Sequence, residues 1–125
     1  MVGQKKILIV EDDQSVRVVL GNEFRRMGYQ IIEAENGEAA VALALAEHPN
    51  LILLDVIMPK MHGMDMLRKL QENEWGKSVP VVLLTNFFDD PRVMEAVKEG
   101  RCELLSKSEA KLEDIVNKVQ EKIGE

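Results

Sequence analysis

Short, uninterrupted runs of aliphatic residues, separated by longer amphipathic stretches, constrain the fold of this 125-residue chain more than any other feature. Five such runs occur, at 7–10, 31–32, 51–54, 81–84 and 104–105. Strands in which every side chain is apolar, rather than every second one, are typical of a parallel sheet that is covered on both faces. We therefore expect five buried parallel strands.

The stretches between these runs predict five helices. The first carries apolar side chains three and four residues apart, and the others are expected at 38–47, around 64–70, after the Asp90-Pro91 cap signal and at 112–123. Strands that alternate with helices are joined by right-handed crossovers, and five units are too few to close a barrel. We predict an α/β fold: a flavodoxin-like, doubly wound five-stranded parallel sheet in the order 2-1-3-4-5, with five helices.

Length, charge and hydropathy narrow the function classes. The length fits one domain covering 1–125, and the net charge of −6 disfavours direct nucleic-acid binding, because phosphates demand a basic surface. No apolar stretch approaches the ~18 residues of a membrane span, and the start of the chain does not resemble a signal peptide. We expect a cytoplasmic protein that contacts neither nucleic acid nor membrane directly.

Polar side chains follow four of the predicted strands. They are Glu11, Asp12 and Asp13 after the first strand, Asp55 after the third, Thr85 after the fourth, and Ser106 and Lys107 after the fifth. Ligands in open α/β sheets bind beyond the carboxyl ends of the strands, near the change in strand order, so we expect these groups to face one crevice. Asp13 also has the position of a helix N-cap, which is its more ordinary role.

The acidic residues of this crevice predict a bound cation. Carboxylates ~4 Å apart repel by about 4 kcal/mol at an effective dielectric constant near 20, so either one of them is protonated or a cation lies among them. Oxygen ligands favour a hard cation such as Mg²⁺, and zinc is disfavoured because the cluster lacks His and Cys. With the Lys107 ammonium and the Thr85 hydroxyl nearby, the arrangement is typical of a phosphoryl-transfer site in which Asp55 is the nucleophile.

Three segments and one lysine resemble the receiver domain of two-component response regulators, in particular the stand-alone chemotaxis regulators. They are I-L-I-V-E-D-D at 7–13, L-L-D-V-I-M-P-K-M-H-G at 53–63, V-V-L-L-T at 81–85, and Lys107. The second segment is the most specific, since it places Pro59 and Gly63 at fixed distances after the aspartate. The resemblance covers nearly the whole chain.

The resemblance implies a magnesium site and names its ligands. Glu11 and Asp12 would be the acidic pair that positions Mg²⁺. Asp55 would be both the phosphoacceptor and a direct metal ligand, and the main-chain carbonyl of Ile57 would be a further ligand.

The resemblance also implies how the switch works. Thr85 would be the hydroxyl that turns inward to the phosphoryl group, and Lys107 would be the counter-ion of that group. The donor would be a phosphohistidine of a histidine kinase or phosphotransfer protein. The chain would then be no enzyme in the usual sense, since it catalyses only its own phosphorylation and dephosphorylation, and phosphorylation would change its partner binding.

By the same resemblance, a downstream protein would bind the face formed by the predicted fourth helix, fifth strand and fifth helix. This face surrounds Arg92, Glu95, Glu99 and Glu103. The protein would be a monomer or a weak dimer that forms on phosphorylation. Because the sequence ends soon after the last predicted helix, we expect a stand-alone regulator, with a receiver excised from a longer protein as the alternative.

The chain departs from the family pattern at four positions. Leu104 stands where an aromatic residue is usual, Ser108 where proline usually follows the lysine, Asn86 where a small residue is common, and Arg101 where alanine is usual. The missing aromatic residue keeps a second function open. In this alternative the chain is a degenerate receiver that acts as a phosphate-independent protein-interaction module.

Two hypotheses concern apolar residues near the predicted site. Phe87 or Phe88 takes over as the mobile aromatic ring, or readout uses the loop after the fourth strand alone. In this family the positions of Ile57 and Phe87 flank the path of the water that attacks the phosphoryl group. Because both residues are bulky and apolar, we predict slow self-dephosphorylation.

Two other function classes are disfavoured by residue chemistry. A flavin-binding electron carrier of the same topology needs a Ser/Thr/Gly-rich phosphate loop after the first strand, where the acids at 11–13 would repel the phosphate. An aspartyl-nucleophile phosphatase needs a second acid two residues after the nucleophile, where this chain has Ile57. A P-loop for nucleotides is also absent from the sequence.

Overall fold

A computed structural model gives the architecture and describes residues 4–55, 62–86 and 90–123. Five parallel strands form one sheet in the order β2-β1-β3-β4-β5, which confirms the predicted fold class and strand order. The strands are β1 Lys6–Val10, β2 Gln30–Ala34, β3 Leu51–Asp55, β4 Val81–Thr85 and β5 Glu103–Ser106. The helices are α1 Gln14–Arg26, α2 Gly37–Glu47, α3 Gly63–Leu70, α4 Glu74–Ser78, α5 Pro91–Lys98 and α6 Leu112–Ile123. None of these six helices combines the length and the apolar character needed to cross a membrane.

The sheet divides the apolar core into two layers. Successive side chains of a strand point to opposite faces, so Leu8 and Ile52 belong to one layer and Ile7 and Leu51 to the other. Helices α2, α3 and α5 cover the first layer, and α1 and α6 cover the second. Because both faces are covered, every residue of β3 and β4 is buried, which explains why the two strands are apolar up to their last residues, Asp55 and Thr85.

Side-chain caps set where two helices begin beside the carboxyl ends of strands. Asp13 Oδ1 accepts a hydrogen bond from the N–H of Ser15 at 2.9 Å, which confirms its predicted role as the N-cap of α1. Asp90 Oδ1 accepts from the N–H of Arg92 at 2.9 Å and caps α5, directly before Pro91. The two caps fix the first residues of α1 and α5.

The expected number of helices, five, is wrong, because the described residues form six. The additional helix is α4, and it begins after Asn73, whose Oδ1 accepts a hydrogen bond from the N–H of Trp75 at 2.9 Å. A helix of five residues is too short to display an apolar repeat in the sequence. Its packing depends on Gly76, since a Cβ at that position would lie 1.9 Å from the carbonyl oxygen of Leu70.

Candidate functional site

The register of the sheet sets acidic residues of two strands side by side. Val10 at the end of β1 pairs with Leu54 of β3, so Glu11 and Asp55 are the next residues on adjacent strands. Asp55 in turn pairs with Leu84 of β4. Both acids are buried, with 1% of Glu11 and 5% of Asp55 exposed.

Strands β4 and β5 bring a hydroxyl and a lysine to the same end of the sheet. Thr85 pairs with Ser106, and the backbone N–H of Lys107 donates a hydrogen bond to the Thr85 carbonyl oxygen at 3.1 Å. Thr85 is buried, with 2% of its surface exposed. The structure thus places Thr85 and Lys107 at the sheet end that also carries Glu11 and Asp55, where the sequence predicted them.

Glu11, Asp12 and Asp55 form an acidic cluster that can hold a cation. One carboxylate oxygen of each residue lies within 4.8 Å of the others. Asp12 is exposed, so the cluster is open to solvent on that side. Three oxygen ligands, without His or Cys, fit a hard divalent cation better than zinc.

Glu11 is fixed by its backbone and by one of its two carboxylate oxygens. Its N–H donates to the Ala34 carbonyl at 3.0 Å, and its own carbonyl accepts from the Arg17 guanidinium at 2.7 Å. Its Oε2 accepts from the N–H of Asp13 at 3.1 Å. Its buried Oε1 lies 3.2 Å from Lys107 Nζ but accepts no aligned hydrogen bond from the described residues. A buried carboxylate oxygen without a hydrogen bond is suited to binding a cation.

Lys107 supplies the positive charge of the site. Its Nζ lies 2.8 Å from Asp55 Oδ2, and 3.2 Å and 3.4 Å from the two carboxylate oxygens of Glu11. The lysine side chain is 34% exposed, so part of it contacts water. One ammonium group therefore faces two buried carboxylates. It neutralises their negative charge only in part, so the site would still attract a further cation.

Burial and the neighbouring charges alter the protonation of the site. Burial raises the pKa of Glu11, the Asp13 N–H lowers it, and the charge of Asp55 raises it again, with a net increase. Burial alone would lower the pKa of Lys107, but the hydrogen bond and charge of Asp55, together with those of Glu11, raise it above its ordinary value. Lys107 is therefore charged at neutral pH, whereas Glu11 binds a proton more readily than an exposed glutamate.

Part of the predicted site lies outside the described residues. This applies to Ile57, the predicted main-chain metal ligand, and to Phe87 and Phe88, the predicted mobile rings. Leu104 is described: it is partly buried and packs against the core layer that α3 and α5 cover. The hypotheses about Ile57 and the two phenylalanine rings stay predictions.

Two residues that hydrogen-bond the backbone around the site were not predicted from the sequence to do so. Arg17 bonds the Glu11 carbonyl and also forms an ion pair with Glu33 at 3.1 Å, so it links the start of α1 to β2. Asn86 accepts a hydrogen bond from the N–H of Ser108 at 2.9 Å. In the sequence, the position of Arg17 one turn into a predicted helix only weakly indicates its contact with Glu11. Asn86 and Ser108 are too far apart in the sequence for their contact to be predicted from it.

The predicted partner face corresponds to α5, β5 and α6, since the additional helix shifts the numbering by one. Arg92 and Glu95 are exposed on α5, and Glu99 is exposed directly after it. Glu103 at the start of β5 forms an ion pair with Lys122 of α6 at 3.2 Å. The face therefore carries charges of both signs.

The sequence model of the response regulator receiver domain matches residues 7–120. The chain therefore belongs to the response regulator receiver domain family. Domains of this family are phosphorylation-dependent signalling switches of two-component systems and not enzymes that turn over an external substrate.

Individual relatives are consistent with this assignment. The probable transcriptional regulator ycf27 of Cyanophora paradoxa is 36% identical over 88 residues, which is 70% of this chain and 36% of that protein. The chain thus spans about a third of the length of the ycf27 proteins that it matches.

Two solved structures share the fold over nearly the whole chain. The chemotaxis protein CheY4 of Vibrio cholerae is 25% identical with a TM-score of 0.85, covering 95% of this chain and 98% of that one. The receiver domain of a sensor histidine kinase from Pseudomonas aeruginosa PAO1 is 26% identical with a TM-score of 0.85, covering 98% of this chain and 100% of that one. The latter structure has a magnesium ion coordinated in its active-site cleft.

Proposed function

We propose that Asp55 accepts a phosphoryl group in a Mg²⁺-dependent reaction and that this modification changes what the protein binds. The observation that carries the proposal is the contact of 2.8 Å between Lys107 Nζ and the buried Asp55 carboxylate, inside a cluster of three acids. A buried carboxylate beside a lysine and further acids is suited to receiving a group whose negative charge must be neutralised.

The donor that we propose is a phosphohistidine of a histidine kinase or phosphotransfer protein. A carboxylate oxygen of Asp55 attacks the phosphorus, so that a P–O bond forms while the P–N bond breaks. The histidine nitrogen leaves with the electron pair and takes up a proton from water. Lys107 then pairs with the new phosphoryl oxygens, which are close to its present partner Asp55.

Mg²⁺ would be held by the carboxylates of Glu11, Asp12 and Asp55, with the main-chain carbonyl of Ile57 as a further ligand. When bound, it would neutralise charge on the phosphoryl oxygens and orient them for in-line transfer. Two observations support this assignment: the three carboxylates lie within 4.8 Å of one another, and no described residue gives the buried Oε1 of Glu11 an aligned donor.

Readout would start at Thr85. Its hydroxyl would turn toward the phosphoryl group, and the change would reach the face of α5, β5 and α6, where a downstream protein binds. We propose that residues 1–125 make up one receiver domain, which acts in the cytoplasm as a monomer or as a weak dimer that forms on phosphorylation.

The test is incubation with acetyl phosphate, with and without Mg²⁺, followed by intact mass measurement. Wild type should gain one phosphoryl group only with Mg²⁺, Asp55→Asn should gain none, and the matched control Asp65→Asn, on α3, should behave as wild type. Equal uptake by Asp55→Asn and wild type would refute the assignment of the acceptor. A wild type that takes up no phosphate yet binds its partner would instead be the phosphate-independent module.

The lifetime of the phosphorylated form is a separate prediction. Ile57 and Phe87 are expected to exclude the attacking water, so self-dephosphorylation should be slow. The double variant Ile57→Asn with Phe87→Glu should lose its phosphoryl group clearly faster than wild type, as followed by phosphate release. Equal decay of the two proteins would show that these positions do not control water access.

A further inference from the structure

The loop that carries Lys107 is tied to the end of β4 by two consecutive backbone N–H groups. The N–H of Lys107 donates to the carbonyl oxygen of Thr85 at 3.1 Å, which continues the pairing of β4 with β5. The next N–H, that of Ser108, donates to the side-chain Oδ1 of Asn86 at 2.9 Å. The backbone on both sides of the Lys107 side chain is therefore held by residues 85 and 86.

The Asn86 carboxamide oxygen is the centre of a small hydrogen-bond network. It lies 3.4 Å from the Ser106 Oγ, which can donate to it, in addition to its bond from the Ser108 N–H. Ser106 Oγ in turn accepts from the N–H of Glu109 at 3.2 Å. The network thus spans the turn from the end of β5 to the approach of α6.

A lysine needs such support because its side chain has a long and flexible stem. Nζ lies 2.8 Å from Asp55 Oδ2, and a backbone that is held at residue 107 limits the range of positions that the flexible stem can give to the ammonium; β5 itself ends one residue earlier. Together with the bond from the Lys107 N–H to Thr85, the Ser108–Asn86 bond continues the attachment past the end of the strand.

We propose that Asn86 is a positioning residue for phosphoryl transfer, which holds the Lys107 ammonium against Asp55 through the backbone N–H of Ser108. The inference rests on the function proposed above and adds a residue to its machinery. The bond requires an acceptor at residue 86 and an N–H at residue 108. Alanine and proline at these positions would supply neither.

The bond joins two of the positions at which the sequence departs from the pattern that the resemblance implies. Asn86, where a small residue is common, supplies the acceptor. Ser108, where proline is usual, supplies the donor. The bond between them exists only when both residues are present, which gives the proposal a quantitative test.

The experiment measures the rate of phosphorylation by acetyl phosphate at saturating Mg²⁺ for Asn86→Ala, Ser108→Pro and the double variant. We expect Asn86→Ala to be slower than wild type by about tenfold, because a displaced charge loses much of its effect on the reaction. Since both changes remove the same bond, from the Ser108 N–H to Asn86 Oδ1, the double variant should be no slower than the slower single variant. Two independent, multiplying effects would overturn the proposal.

A control of the same chemistry separates positioning from general stability. Asn73 Oδ1 likewise accepts two hydrogen bonds, in its case both from backbone N–H groups, those of Trp75 and Gly76, at the start of α4. Asn73→Ala should lower the thermal midpoint by an amount similar to Asn86→Ala, yet leave the rate of phosphorylation unchanged. Equal slowing of both variants would reduce the role of Asn86 to stability.

Mg²⁺ affinity, measured by calorimetry, gives a readout that does not depend on phosphorylation. Lys107 competes with a metal for Asp55 and Glu11, so loosening its loop should strengthen Mg²⁺ binding a few-fold while it slows phosphoryl transfer. Damage to the pocket would weaken both. If wild type takes up no phosphoryl group, the proposed function fails, and an Mg²⁺ affinity of Asn86→Ala equal to that of wild type would independently refute the positioning role.

Discussion

Replacement of Lys107 by methionine tests the charge balance of the pocket directly. The change keeps the length and most of the apolar stem of the side chain but removes its ammonium. Nζ contacts Asp55 and Glu11 at 2.8 Å and 3.2 Å, and these two carboxylate side chains are only 6% and 2% exposed. Without the lysine, the two buried carboxylates lose the ammonium group that contacts both of them.

The structure bounds the size of the effect. Removing one partner of a fully buried ion pair costs about 3–5 kcal/mol, and losing an exposed pair costs about 0–1 kcal/mol. Lys107 is one-third exposed, so solvent compensates part of the loss, and we expect Lys107→Met to lower the free energy of unfolding by about 2–3 kcal/mol at neutral pH. For a domain of this size the thermal midpoint should fall by roughly 6–12 °C.

The conditions of the measurement sharpen the prediction. The difference from wild type should be largest in chelator and should shrink in Mg²⁺, because a bound cation replaces the missing charge and stabilises the folded state by about 2.7 kcal/mol at 100 times its dissociation constant. It should also shrink as pH falls toward the raised pKa of Glu11, because protonation removes one of the repelling charges.

The alkaline side provides a second check. The pKa of Lys107 in the folded protein is raised above its ordinary value of 10.5. The lysine therefore contributes fully to stability below pH 10.5, and this contribution is lost as the pH rises through the higher pKa of the folded state. Lys107→Met should lack this alkaline loss. Lys111→Met, at an exposed lysine, is the control and should change little. If Lys107→Met in chelator is as stable as wild type, the lysine does not neutralise the acids and the reasoning is refuted.

Two further predictions concern stability and reactivity. Gly76→Ala should lower the free energy of unfolding by about 1–3 kcal/mol, since its Cβ would meet the backbone of Leu70 at 1.9 Å. Gly21→Ala in α1 should raise it by up to about 1 kcal/mol, because its Cβ would meet only the ends of flexible side chains, Arg25 Nη1 at 3.1 Å and Glu33 Oε2 at 3.8 Å. Urea unfolding of both variants tests this prediction, and changes of the same sign in their free energies of unfolding would contradict it. Burial raises the pKa of the Cys102 thiol to about 11 from an ordinary 9.0. Because the thiolate is the reactive form, alkylation by iodoacetamide at mildly alkaline pH should be about a hundredfold slower in the folded protein than in urea. Equal rates would show that the thiol is accessible.

The sheet and the location of the site could be predicted because both depend on short-range patterns. A strand such as β3 is buried on both faces and is therefore apolar throughout, up to Asp55 at its end. Once the strand order is fixed, the residues that follow the strands must meet at one end of the sheet. Glu11, Thr85 and Lys107 could be placed in this way without knowledge of any side-chain contact.

Features that depend on packing between distant segments could not be predicted from the sequence. Helix α4 has too few residues for a repeat, and its close approach to α3 at Gly76 is a property of the folded chain. Asn86 and Ser108 are separate in sequence, and their hydrogen bond exists only because β4 and β5 pair in this register. The unequal burial of Glu11 and Asp12, adjacent in the chain, also depends on which way each side chain turns at the end of β1.

The position of β5 in the sheet has a consequence for how the pocket opens. β5 pairs with one neighbour, β4, and all four of its residues are only half-buried, whereas β3 lies between two strands and is fully buried. Amides of an outermost strand exchange with solvent through local fraying, while those of central strands exchange only when the whole domain unfolds. Fraying of β5 would carry Lys107 away and leave Glu11 and Asp55 in place. We therefore expect the backbone around Glu11 and Asp55 to exchange slowly and that around Lys107 to exchange faster, because the acids follow or end central strands and their counter-charge follows an outermost one.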